Sequence, residues 1–73
     1  MPNLIAQDAY HSALDWIMAL PFGSAFTRVE LFVEMQWRHM YPESCKGSWN
    51  LAIANCVLRH EIIAINDDRW MRI

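Results

Sequence analysis

Thr27 and Glu30 stand three residues apart, just before the apolar run Leu31-Phe32-Val33. Threonine followed at that spacing by glutamate is a helix capping box. The hydroxyl accepts from the Glu30 backbone N–H, and the carboxylate reaches back to the N–H of Thr27. Phe26 precedes the cap and Leu31 falls at the fourth helical position, which makes a hydrophobic staple. These signals predict a helix from Arg28 to about His39 and fix the register of the chain beyond it. Along it, Leu31, Phe32 and Met35 form one apolar stripe, and Val33, Trp37 and Met40 form a second. A helix apolar on two stripes is sandwiched, or it offers one stripe to a partner.

Punctuation at Pro21–Gly23, Pro42, Gly47 and Asn66–Asp68 divides the rest of the chain. Gln7 to Leu20 places Tyr10, Ala13, Leu14 and Ile17 at helical spacing, with Asp8 as an N-cap or first-turn acid and Pro21 as the stop. A third helix runs from about Ser48 to Arg59, with Ser44 as an alternative cap. On it Leu51, Ala54 and Leu58 share one face, and Trp49, Ile53, Cys56 and Val57 cover the adjoining arc. Ser48, Ala52, Asn55 and Arg59 form the remaining stripe. Glu61 to Ile73 holds a β-branched run, the turn Asn66-Asp67-Asp68 and a second short run, which is a β-hairpin. A lone hairpin is not stable, so it must pack on the helices.

The chain has 73 residues, 55% of them hydrophobic and 19% charged, so it holds one domain with one core and is not disordered. Four Trp and five Met are rich for that size. Some apolar surface should remain for a partner or a second copy. Two cysteines imply no disulfide framework. Met1 to Asp8 lacks the basic region and apolar core of a signal peptide, and Leu4 to Phe22 is interrupted by Asp8 and Asp15. The expectation is a soluble, intracellular protein with no membrane segment.

Helix, capped helix, turn, helix and hairpin, in that order, resemble the winged helix-turn-helix family, an α+β fold. The resemblance covers nearly the whole chain and rests on element order. It implies a short strand at Ser24–Phe26 beside the hairpin, a recognition helix at Ser48–Arg59 and a wing tip at Asn66–Asp68. Small proteins of this kind are frequent in phages, prophages and plasmids, so the resemblance implies, as the leading expectation, a regulator of transcription that binds DNA as a dimer in the cytoplasm of a bacterial host.

If the third helix enters a DNA groove, the stripe Ser48, Ala52, Asn55 and Arg59 is its reading face. The small residues allow close approach, Asn55 meets an adenine edge and Arg59 a guanine edge or a phosphate. Arg28 and Lys46 then lie at helix starts, where phosphates sit. Alternatively, the stripe is the solvated side of a helix otherwise buried. The wing departs from the family pattern: Asp67 and Asp68 repel phosphate at its tip, and Arg69 and Arg72 alternate onto opposite faces. Six cations, a net charge of −2 and a pI near 5.8 are thin for a nucleic-acid binder.

Trp37, Trp49 and Trp70, with Met40 and Met71, favour a protein interface, because Trp, Met and Arg are enriched at interface centres. Asp67, Asp68, Glu61 and Glu43 could then meet a basic surface on a host protein complex, as an inhibitor would. A homodimer would use the same surplus. Cys56 and His60, four apart, with Cys45 and His39 upstream, hold the residue types of a zinc site without its usual spacing. A buried thiol and a helix-end imidazole explain them as well, and neither metal nor cofactor is expected. No nucleophile elbow, metalloprotease motif or phosphate loop is present, which argues against an enzyme.

Overall fold

A computed structural model describes residues 4–73. The first three residues, part of the segment Met1 to Asp8 considered above for a signal peptide, lie outside it. The elements are α1 (Leu4–Met18), β1 (Ala25–Thr27), α2 (Arg28–Val33), α3 (Lys46–Leu58), β2 (Ile62–Asn66) and β3 (Arg69–Arg72). Three helices with a three-stranded antiparallel sheet make the α+β, winged-helix layout that the element order predicted. No described helix is long and apolar enough to cross a membrane.

The capping box at the start of α2 forms as expected. Thr27 Oγ1 accepts from the Glu30 N–H at 3.1 Å, and Glu30 Oε1 accepts from the Thr27 N–H at 3.3 Å. Phe26 and Leu31, the staple pair, are both fully buried. Beyond Val33 the helix widens into a π turn over Glu34–Arg38, where the His39 N–H reaches the Glu34 carbonyl at 3.2 Å. Met40 closes it with φ 61, and the Tyr41 N–H returns to the Met35 carbonyl at 3.0 Å. Leu31 and Met35 point into the core, while Val33, Trp37 and Met40 remain exposed. Of the two options for a doubly striped helix, this one leaves a stripe unpartnered.

Two helix starts differ from expectation. α1 begins at Leu4, so Asp8 lies inside the helix on its exposed side instead of capping it. α3 begins at Lys46, and neither Ser44 nor Ser48 caps it. The chain enters α3 already coiled through a 3-10 turn at Glu43–Cys45, whose Cys45 N–H bonds the Pro42 carbonyl at 3.0 Å. That turn satisfies a donor the cap would otherwise serve. α3 ends with His60 at φ 58 and the Glu61 N–H on the Cys56 carbonyl at 2.9 Å, a Schellman-type stop.

β3 is the central strand, in the order β1-β3-β2. Phe26 and Ala64 flank Trp70 in register, and Ile65 is the extra residue of a bulge before the turn. Phe26 and Trp70 stack at 5.7 Å. Gly23, at φ 88, turns the chain into β1 and donates to the Arg72 carbonyl at 2.7 Å. Ile17, Phe26, Leu31, Met35, Trp49 and Ile62 are the largest fully buried side chains of the core, which Trp70 joins from the sheet.

Candidate interaction surface

α3 is apolar nearly all the way round, so its sequence carries no direction. The packing supplies one. Ala52 is fully buried, and the Asn55 amide donates to the Tyr10 hydroxyl at 2.9 Å. Ser48 is half-buried on the same stripe. The Ser48–Ala52–Asn55 stripe therefore packs on α1. Both readings of that stripe, as a base-reading face and as a solvated side, placed it at the surface; it lies in a helix–helix interface instead. Small side chains let α1 and α3 approach closely, and Ala9 and Ala13 answer them from α1.

The outward face of α3 is Asn50, Leu51, Ala54 and Leu58. Leu51 is 54% exposed and Leu58 75%. Beside this face runs a groove of about 450 Å³, lined by Arg28, Ile53, Val57 and Trp70 together with Asn50, Ala54 and Leu58. Its rim carries the Arg28 guanidinium, which stacks 5.2 Å from the Trp70 ring centroid.

Arg28 also ties down the hairpin turn. Its N–H donates to the Asp68 carbonyl at 3.0 Å, its Nη2 to the Asp67 carbonyl at 3.3 Å, and its Nε lies 3.6 Å from the Asp68 carboxylate. Asn66 Oδ1 accepts from the Asp68 N–H at 2.9 Å, which shapes the turn. The expected wing tip is thus fastened to the start of α2, with Asn66, Asp67 and Asp68 exposed.

The other cations are similarly engaged. Arg38 pairs with Glu34 at 3.6 Å, Lys46 with Glu43 at 2.7 Å and Arg59 with Glu61 at 3.1 Å. The Lys46 ammonium, bonded to the Glu43 carboxyl, holds it below the usual carboxylate range. Arg72 is buried; its Nη1 donates to the carbonyls of Glu61 at 3.0 Å and Ile73 at 2.6 Å, and its guanidinium lies over the Phe22 ring. It cannot serve as the expected phosphate contact. Arg69 alone, among the described Lys and Arg residues, is exposed with no acid paired to it. Of the acids expected to meet a basic surface, Glu43, Glu61 and Asp68 are engaged in these pairs, and Asp67 is left over.

The aromatic surplus divides. Trp49 is fully buried and so is closed to a partner, while Trp70, 6% exposed, shows only the edge that lines the groove beside α3. Trp49 is clasped by Phe32, and Trp70 by Phe26 and Arg28. Trp37 and Met40 are 77% and 80% exposed and remain interface candidates. Met71 is half-buried.

The thiols are interior groups. Cys45 and Cys56 are both buried and free. Burial, helped by the Glu61 carboxylate, pushes the Cys56 thiol up to about 11. His60 lies past the end of α3 in left-handed backbone, so the helical alignment with Cys56 expected from their spacing does not arise. Among the described residues, no group of three or more His, Cys, Asp or Glu is placed to hold a metal ion.

No family model, curated protein or solved structure matches the chain.

Proposed function

We propose that this chain is a protein-binding module that docks on its partner through the outward face of α3 and the groove beside it. It is not proposed to catalyse a reaction. The observation that carries the reading is the chemistry of that face. Where a winged helix that reads DNA would present polar and basic side chains, Leu51, Ala54 and Leu58 present apolar ones. The narrower form is an inhibitor borne by a phage or plasmid, acting on a protein complex in the bacterial cytoplasm, the setting that goes with the winged-helix resemblance.

DNA binding is the second reading. Its support is the winged-helix layout, with Lys46 and Arg59 near the two ends of the outward face. Against it stand the neutralising acids at both cations and the pinned, acidic turn.

Affinity capture from a bacterial lysate tests the proposal. The tagged wild type should retain a defined protein or complex, identified by mass spectrometry, that Leu58→Asp releases and His60→Gly keeps. Equal retention by Leu58→Asp, or self-association as the only product, counts against docking through α3.

A further inference from the structure

The first turn of α2 contributes to two cavities. Arg28 lines the groove beside α3; Val29 and Glu30, next in the chain, line a second pocket. This pocket measures about 320 Å³ and is completed by Trp16, Val33 and Glu34. Its walls are an indole and two valine side chains, and two carboxylates border it. Trp16 packs edge-on against Phe26 at 5.4 Å, and that contact steadies the ring. Glu30 uses Oε1 in the capping box, which leaves Oε2 for another donor. Glu34 faces Arg38, whose side chain is 78% exposed and reaches it only at 3.6 Å. Arg38 thus competes for Glu34 from an exposed position and does not line the pocket.

An aromatic face, flanking aliphatic walls and two carboxylates form the surroundings that a long basic side chain requires. The alkyl stem packs on valine, the cation stacks on indole, and its N–H groups reach the carboxylates. We infer that this pocket receives an arginine or lysine side chain of the partner protein. The inference rests on the protein-docking reading and adds to it the charge of the partner: a basic residue flanking the apolar segment that meets α3. Of the acids expected from sequence to meet a basic partner, Glu43, Glu61 and Asp68 are paired elsewhere, and Glu30 and Glu34 take that role.

The test uses n-butylguanidinium chloride as the probe and n-butylurea as its neutral isostere, each titrated into the full chain and followed by NMR. The guanidinium should shift the Trp16 indole N–H and the Val29 and Val33 methyl resonances saturably, with a Kd on the order of millimolar. The urea should leave them unmoved at the same concentrations. Glu34→Gln should weaken the guanidinium response roughly threefold to fivefold, the value of one partly exposed ion pair. Arg38→Ala, which removes the loose competitor, should not weaken it. Equal shifts from the urea, no shifts from the guanidinium, or an unchanged affinity in Glu34→Gln would overturn the inference. The fragments read the pocket alone, so its failure is distinguishable from failure of α3 docking, which is read by capture.

Discussion

The Asn55 side-chain amide donates to the Tyr10 hydroxyl at 2.9 Å, across the interface of α1 and α3. This bond accompanies the burial of Trp49, Ala52, Ile53 and Cys56, which together fix the way α3 faces. The Ser48–Ala52–Asn55 stripe is inward and Leu51 and Leu58 are outward, and the proposed function depends on that rotation. A partly buried bond of this kind contributes about 1 kcal/mol. Tyr10→Phe and Asn55→Ala should each lower stability in urea unfolding. Their double-mutant cycle should show a coupling of roughly 0.5–1.5 kcal/mol. Additive effects would mean that Asn55 is not held against α1.

Met40 and His60 both occupy left-handed backbone, at φ 61 and 58. A residue with a Cβ is strained there by about 1 kcal/mol and glycine is not. Met40→Gly and His60→Gly should therefore each raise the midpoint of thermal unfolding. Met40 is 80% exposed, so little packing is lost to offset the gain. A lower midpoint in both variants would contradict the backbone assignment at these two stops.

Cys56 should govern stability at alkaline pH. Its folded-state pKa is raised from 9.0 to about 11, so the folded chain holds the proton more tightly than the unfolded one. This stabilisation is therefore fully present below pH 9 and is lost as pH rises toward 11. The loss is on the order of 2–3 kcal/mol. Urea unfolding between pH 8 and pH 11 should show the decline in the wild type and a flatter profile in Cys56→Ala. Iodoacetamide at pH 8.5 should label the native Cys56 thiol roughly two orders of magnitude more slowly than a free thiol.

Low-salt DNA titration separates the two functional readings from the DNA side. Non-specific affinity is greatest at low salt, where phosphate contacts release the most counterions. With Arg28, Arg38, Lys46 and Arg59 each beside an acid and Arg72 buried, random duplex DNA should give no saturable anisotropy change. Binding that weakens steeply with salt and is lost in Arg59→Ala would restore the DNA reading.

Local chemistry was the legible part of the sequence. The box at Thr27 and Glu30, the staple of Phe26 and Leu31 and the turn at Asn66–Asp68 all act over a few residues, and all form, whereas the short strand beside the hairpin, which pairs Ala25 with Met71, was implied by the resemblance alone. The orientation of α3 was not legible. Apolar residues cover its circumference, so the buried side is selected only by what packs against it: the core around Trp49, Ile53 and Cys56, and Ala9, Ala13 and Tyr10 of α1 against Ala52 and Asn55. The fates of Trp49 and Trp70 were equally hidden, because a surplus of aromatic residues gives no sign of which ones the core takes. Val29 and Trp16 escaped notice for a different reason: their pocket joins two helices distant in sequence. The placement of Val29, Val33 and Trp37 at four-residue steps was a usable signal for that face.

Photo-crosslinking from position 58 tests the central claim most directly. Leu58 is replaced by p-benzoylphenylalanine, and bacterial cells expressing the chain are irradiated. The expected result is a discrete adduct with a second protein, absent when the same group replaces exposed Asp8 on α1. An adduct with nucleic acid, or the same adducts from both positions, would contradict docking of a protein on the outward face of α3.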